Sequence, residues 1–222
     1  MTRAELALLL DHSVLKPEAT ERDIRAGADV VRALRIGFYC VQPCWVKLAT
    51  GAIGADGARV VSVVGFPHGC DRPEVKTHAA VIAVAEGAGE IDMVMNFGAL
   101  KSGLAALVAA EIESVVSAVP GVPVKVILEA AALSDSEKQL ACRLAFDAGA
   151  AFVKTSTGFH PNGGATVADV RLMRAAVGAT IGVKASGGIR NHNDVRAMLD
   201  AGANRIGTSA SAAIIEKWGS DL

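Results

Sequence analysis

Short runs rich in Val and Ile recur along this chain, each followed by a longer helical pattern, and that alternation restricts the fold more than any other feature. The runs fall at 11–15, 38–41, 60–64, 90–95, 124–128, 152–155, 181–185 and 205–208, the first being the weakest. Most lack polar alternation, as parallel strands covered on both faces do. Helix signals lie between them. Thr20 and Asp23 have the spacing of a capping box, and Gly37 marks the end of that segment. Pro43 and Pro73 stand where first helical positions are expected, the second ahead of a helix running to about Gly87. Ser134 with Glu137 opens a segment that closes at Gly149, and Asn191 with Asp194 opens one that closes at Gly202. Ala-Gly-Ala at 148–150 and again at 201–203 reads as a repeated turn from helix to strand, with glycine free to adopt the left-handed position.

Eight strands, most followed by a helix, in 222 residues predict an α/β fold of the (β/α)8 TIM-barrel type. An open doubly wound sheet is the alternative, but its usual G-x-G-x-x-G after the first strand is missing. No linker, low-complexity tract or break in composition divides the sequence, so 1–222 is expected to be a single domain. With 51% hydrophobic and 20% charged residues, it can bury a sizeable core. A formal net charge of −1 offers no basic face for nucleic acid. No apolar run reaches membrane length, and Leu6 to Leu10 is too short for a secretory core. The four cysteines are too few and scattered for a disulfide framework. A cytoplasmic protein with reduced thiols is expected, with neither membrane nor nucleic acid as partner.

The chemistry concentrates where a barrel would gather it, at the C-terminal ends of strands. Val153-Lys154-Thr155-Ser156-Thr157-Gly158 and Val183-Lys184-Ala185-Ser186-Gly187-Gly188 share one form: a lysine among apolar residues, then small turn-forming ones. Lysines on adjacent barrel strands depress each other's proton affinity, and a neutral amine is a nucleophile toward carbonyls. Asp92, Lys125 and Glu129 lie on or after neighbouring strands. Asp92 also fits a buried partner for Lys125 or Lys184, and Glu129 a capping or salt-bridging carboxylate. After the last two strands, Ser186 to Arg190 and Gly207 to Ser211 resemble the glycine loops that hold phosphate in barrels, although glycines also serve tight turns. Thr155, Ser156 and Thr157 offer further hydroxyls. Cys40 and Cys44 have no second ligand pair, and the five histidines lack a His-x-x-x-His spacing, so no metal site is expected. The residues alone describe a barrel that binds a small phosphorylated carbonyl compound and attacks it with a lysine.

These motifs together resemble the deoxyribose-phosphate aldolase family over nearly the whole chain. The similarity rests on Asp11-His12-Ser13-Val14-Leu15-Lys16-Pro17, Val63 to Gly69, Glu90 to Asn96, Val126 to Glu129, Phe152 to Phe159 and Val183 to Arg190. It implies a cofactor-free class I aldolase that cleaves 2-deoxy-D-ribose 5-phosphate to D-glyceraldehyde 3-phosphate and acetaldehyde. Lys154 would form the Schiff base, Lys184 would lower its proton affinity and help move protons, and Asp92 would give and take protons through a water. Gly187, Gly188, Ser209 and Thr157 would hold the phosphate end, in a dimer or tetramer. Gln42, His160-Pro161-Asn162, Ala210 and Ser211 depart from the family pattern, and Ser220-Asp221-Leu222 replaces a tyrosine-ending tail that some members carry. Another lysine aldolase, a sugar-phosphate isomerase and a catalytically silent binding barrel are the rival readings.

Overall fold

The computed structural model describes residues 1–55 and 57–219, so the tail at Ser220-Asp221-Leu222 lies outside the described residues. Eight strands close into a barrel in chain order: β1 (Leu10–Val14), β2 (Phe38–Val41), β3 (Arg59–Val64), β4 (Glu90–Val94), β5 (Val124–Ile127), β6 (Phe152–Lys154), β7 (Gly182–Ser186) and β8 (Arg205–Thr208). Every neighbouring pair is parallel, and β8 returns to β1. The helices are α1 (Arg3–Ala7), α2 (Glu21–Leu34), α3 (Val46–Ile53), α4 (Pro73–Ala85), α5 (Phe97–Lys101), α6 (Ala105–Ala118), α7 (Asp135–Asp147), α8 (Val167–Val177), α9 (His192–Asp200) and α10 (Ser211–Lys217). The expected (β/α)8 barrel is therefore the observed fold, and each strand lies within one residue of its expected ends.

Local chemistry sets the boundaries. Capping boxes start α2 at Thr20, α7 at Ser134 and α9 at Asn191, each satisfying backbone N–H groups that have no partner within the helix. Gly149 (φ 81°) and Gly202 (φ 108°) take the left-handed position after their helices. The following N–H groups of Ala150 and Ala203 donate back to Ala145 and Met198 at 3.0 Å. Gly37 differs from its expected role. The chain leaves α2 at Arg35, itself left-handed at φ 51°. Gly37 instead allows close approach to α1, since a Cβ there would stand 2.7 Å from the Leu8 carbonyl oxygen.

Both faces of the strands are covered, so β4 and β5 are buried along their whole length. Alternation along β4 divides it in two. Ile91 and Met93 join the main apolar cluster, while Glu90 and Asp92 meet cations inside the barrel. The barrel thus sets its ionisable groups apart from the apolar layer under the helices. Among the described residues, no helix is long and apolar enough to cross a membrane.

Candidate active site

Strand register brings the expected site residues together. Lys154 pairs with Lys184 across β6 and β7, and Asp92 with Lys125 across β4 and β5. Asp92 Oδ2 accepts from Lys154 Nζ at 2.8 Å and from Lys184 Nζ at 2.7 Å, and Oδ1 accepts from Lys125 Nζ at 2.7 Å. One carboxylate with no exposed surface therefore receives three lysines. Both partners considered for Asp92 from the sequence, Lys125 and Lys184, bind it together with Lys154. Lys184 Nζ donates in addition to Asp11 Oδ2 on β1. Toward the N-terminal end of the barrel, Lys125 Nζ lies 2.5 Å from Glu90 Oε2, which also accepts from Arg205 at 3.0 Å.

Electrostatics divides the labour among these groups. Burial alone would raise the Asp92 carboxyl, but Lys125, Lys154 and Lys184 outweigh it and hold Asp92 well below the usual carboxylate range. Burial alone would lower the Lys184 ammonium, but Asp11 and Asp92 hold it above the usual lysine range. In the resting cluster Asp92 is therefore the anion and Lys184 a cation. Leaving aside half-exposed Arg59, this ion-pair network in the interior has, among the described residues, three carboxylates (Asp11, Glu90, Asp92) and four cations (Lys125, Lys154, Lys184, Arg205). Lys125 and Lys184 each touch two carboxylates; Lys154 touches one. Arg205 also touches one, but a guanidinium does not lose its proton in a protein. Among the described residues, Lys154 is thus the lysine of the three with a single carboxylate partner.

A cavity of about 830 Å3 opens at the C-terminal ends of the strands, and both Lys154 and Lys184 line it. Gly187, Gly188, Ser209 and Thr157 line the same cavity, beside Arg190. Gly187 (φ 87°) and Gly188 (φ 80°) use backbone shapes that side chains rarely adopt. A Cβ on Gly187 would also stand 3.0 Å from the Cα of Gly164, where two loops touch. Thr157 has less freedom than expected: its hydroxyl donates to Glu129 Oε2 at 2.5 Å and accepts from the Phe159 N–H at 3.1 Å. Phe159 meets Phe66 edge-on with centroids 5.3 Å apart.

Several participants were not assigned from the sequence. Asp11 has no exposed surface and pairs with Lys184, yet it lies on the strand with the weakest apolar pattern. Glu129 takes a left-handed backbone (φ 56°), and its buried carboxylate accepts both the N–H and the hydroxyl of Thr157, anchoring the loop after Lys154. Gly207 makes no turn. It leaves room for Lys184, whose Cε would lie 3.0 Å from a Cβ at that position. Gln42, a departure from the family pattern, donates to the Leu15 carbonyl at 2.9 Å and holds the loop after β1.

Asp11, Cys40 and Asp92 offer ligand atoms within 4.8 Å of one another. They fit a metal ion poorly, because the Lys184 ammonium occupies both carboxylates and burial pushes the Cys40 thiol up to about 12.

Comparison with known proteins places the chain in a family. A model of the DeoC/LacD family of aldolases matches residues 6–214. The chain belongs to the DeoC/LacD aldolase family. Deoxyribose-phosphate aldolase from Methanothermobacter thermautotrophicus is 53% identical over 98% of this chain and 96% of its own. The enzyme of the same name from Caldanaerobacter subterraneus is 50% identical over 96% of this chain and 93% of its own. Among solved structures, the tetrameric deoxyribose phosphate aldolase from Aeropyrum pernix superimposes with a TM-score of 0.89 at 33% identity, covering 100% of this chain and 94% of that one.

Proposed function

We propose that this family member cleaves 2-deoxy-D-ribose 5-phosphate reversibly to D-glyceraldehyde 3-phosphate and acetaldehyde, through a Schiff base on Lys154. The observation that carries the reading is that Lys154 lines the cavity, has one carboxylate partner and shares that oxygen with Lys184. The neutral Lys154 amine attacks C1 of the open-chain sugar. Loss of water, with uptake of a proton from the Lys184 reservoir, gives a protonated imine. A base removes the C3 hydroxyl proton, the C2–C3 bond breaks, and its electron pair moves into the imine to form an enamine. Glyceraldehyde 3-phosphate leaves. Protonation of the enamine at C2 and hydrolysis release acetaldehyde and restore Lys154.

Asp92 Oδ2 lies between Lys154 and Lys184, so a proton can pass from one nitrogen to the other across it. Asp92 acts as the acceptor and Lys184 as the charged reservoir; such general acid–base help contributes about 10²–10⁴-fold in rate. The phosphate end of the substrate fits the Gly187-Gly188 loop, Ser209 and the Thr157 segment, with Arg190 alongside. The reading places the enzyme in the cytoplasm as a dimer or tetramer, and the tetrameric relative supports a homo-oligomer. The test is cleavage of deoxyribose 5-phosphate with EDTA present, followed by coupled assay of glyceraldehyde 3-phosphate and release of acetaldehyde. Formation of both products is expected. Isomerisation of the sugar phosphate without acetaldehyde would replace this reading with that of an isomerase.

A further inference from the structure

Lys125 has no part in the steps above and, unlike Lys154 and Lys184, does not line the cavity. It has no exposed surface, and its Nζ bridges Asp92 Oδ1 at 2.7 Å and Glu90 Oε2 at 2.5 Å. Glu90 is held in turn by Arg205 at 3.0 Å and by half-exposed Arg59 at 3.2 Å. The Arg205 guanidinium lies 3.2 Å from the centroid of the Phe38 ring, which fixes that end of the chain of charges. The groups facing Asp92 come from all around the barrel: Lys125 on β5, Lys154 on β6, Lys184 on β7, Asp11 on β1 and the Cys40 thiol on β2.

We propose that Lys125 is a positioning residue for the aldol chemistry: bridged to Glu90, it occupies Oδ1 of Asp92 and leaves Oδ2 as the shared partner of Lys154 and Lys184. A carboxylate without this tether could turn so that each oxygen served one of the reactive lysines. Both ammoniums would then be fully paired, and Lys154 would keep its proton. With Oδ1 taken, two ammoniums crowd one oxygen, and Lys184, held also by Asp11, stays charged. Lys125 adds a third positive charge around the same carboxylate. Glu90 partly neutralises that charge, so Lys125 and Glu90 act on Lys154 in opposite senses. The inference rests on Lys154 being the nucleophile.

The experiment is the pH dependence of kcat/KM for cleavage of deoxyribose 5-phosphate by the full chain and its Lys125→Gln, Glu90→Gln and doubly substituted variants. Glutamine keeps hydrogen-bonding atoms at each position and removes the charge. The acid limb, which reports deprotonation of the reactive cluster, is expected to move up by about one unit or more in Lys125→Gln. It is expected to move down in Glu90→Gln and to return toward the wild-type position in the double variant. General structural damage does not produce opposite shifts. A limb that is unmoved in both single variants, or moves the same way in both, overturns the proposal. If Lys125→Gln does not fold, Glu90→Gln decides alone, and the lack of a downward shift overturns it. Trapping with acetaldehyde and borohydride above the limb separates the two levels of the argument. Wild-type protein left unlabelled at Lys154 removes the underlying reading, whereas labelled Lys154 with unmoved limbs removes only the role of Lys125.

Discussion

Replacing Gly207 by alanine should slow the enzyme without removing a single ionisable group. The residue lies in β8 beside the Lys184 side chain, and a Cβ there would stand 2.9 Å from Ser186 Cβ and 3.0 Å from Lys184 Cε. Ordinary contacts of this kind fall at 3.4–4 Å, so the neighbours must retreat by about half an ångström. Ser186 is fixed by its own hydrogen bonds to Thr155 and Ser156, at 3.0 and 2.6 Å. The Lys184 tail must yield, and its Nζ is the atom that holds Asp11 and Asp92 Oδ2. Overpacking of this size costs about 1–3 kcal/mol of stability. Misplacing a catalytic group by a fraction of an ångström to an ångström costs about ten- to hundredfold in kcat. Steady-state cleavage of deoxyribose 5-phosphate and urea unfolding measure the two effects. Gly51→Ala serves as the control. It lies on the exposed side of α3 with nothing within 4 Å of an added Cβ, so it should gain about 0.5–1 kcal/mol and leave kcat unchanged. A Gly207→Ala enzyme with wild-type kcat would refute the idea that Lys184 must be held where it is.

Outside the site, Lys76 on α4 is buried and donates to the Gly69 and Val94 carbonyls and to Glu111 on α6, while Glu111 also accepts from the Asn96 N–H. Lys76→Met strands that carboxylate and should cost about 3–5 kcal/mol in urea unfolding, with part recovered in Lys76→Met/Glu111→Leu; a neutral single variant would contradict the buried pairing. Burial lowers the His12 imidazole from its usual 6.5, against the opposing pull of Asp11. Its neutral form therefore contributes stability that is present above about pH 6.5 and is lost as pH falls through the lowered folded value. The Asp92 contribution is complete above its ordinary carboxylate range, and that of Lys184 is complete below the ordinary lysine range, so neither titrates near neutrality. Wild-type Tm should fall between about pH 7 and 5, and His12→Gln should flatten that fall; an equal fall in the variant would assign it to other groups.

The barrel was legible because its strands are nearly continuous apolar runs and its helices begin with side-chain caps at Thr20, Ser134 and Asn191, both of which act locally. Lys154, Lys184 and Asp92 were legible because charge in such runs is conspicuous. Asp11 was not assigned, since β1 opens Leu10-Asp11-His12-Ser13 and reads as polar; only ring closure between β1 and β8 brings it to Lys184. Lys125 shares the Val-Lys dipeptide of Lys154 and Lys184, and its different surroundings depend on register, which points it at Glu90 as well as Asp92. Thr157 illustrates the limit at the phosphate end: a hydroxyl in sequence looks available, but Glu129, at the end of the preceding strand, already occupies it.

The central claim is the proposal that Lys154 is the nucleophile that attacks the carbonyl. Its most direct test is incubation with acetaldehyde and borohydride, followed by peptide mass mapping. The expected result is a single reduced two-carbon adduct on Lys154, with Lys125 and Lys184 unmodified. An adduct on Lys184 or Lys125, or no adduct in an enzyme that still turns over, would contradict it.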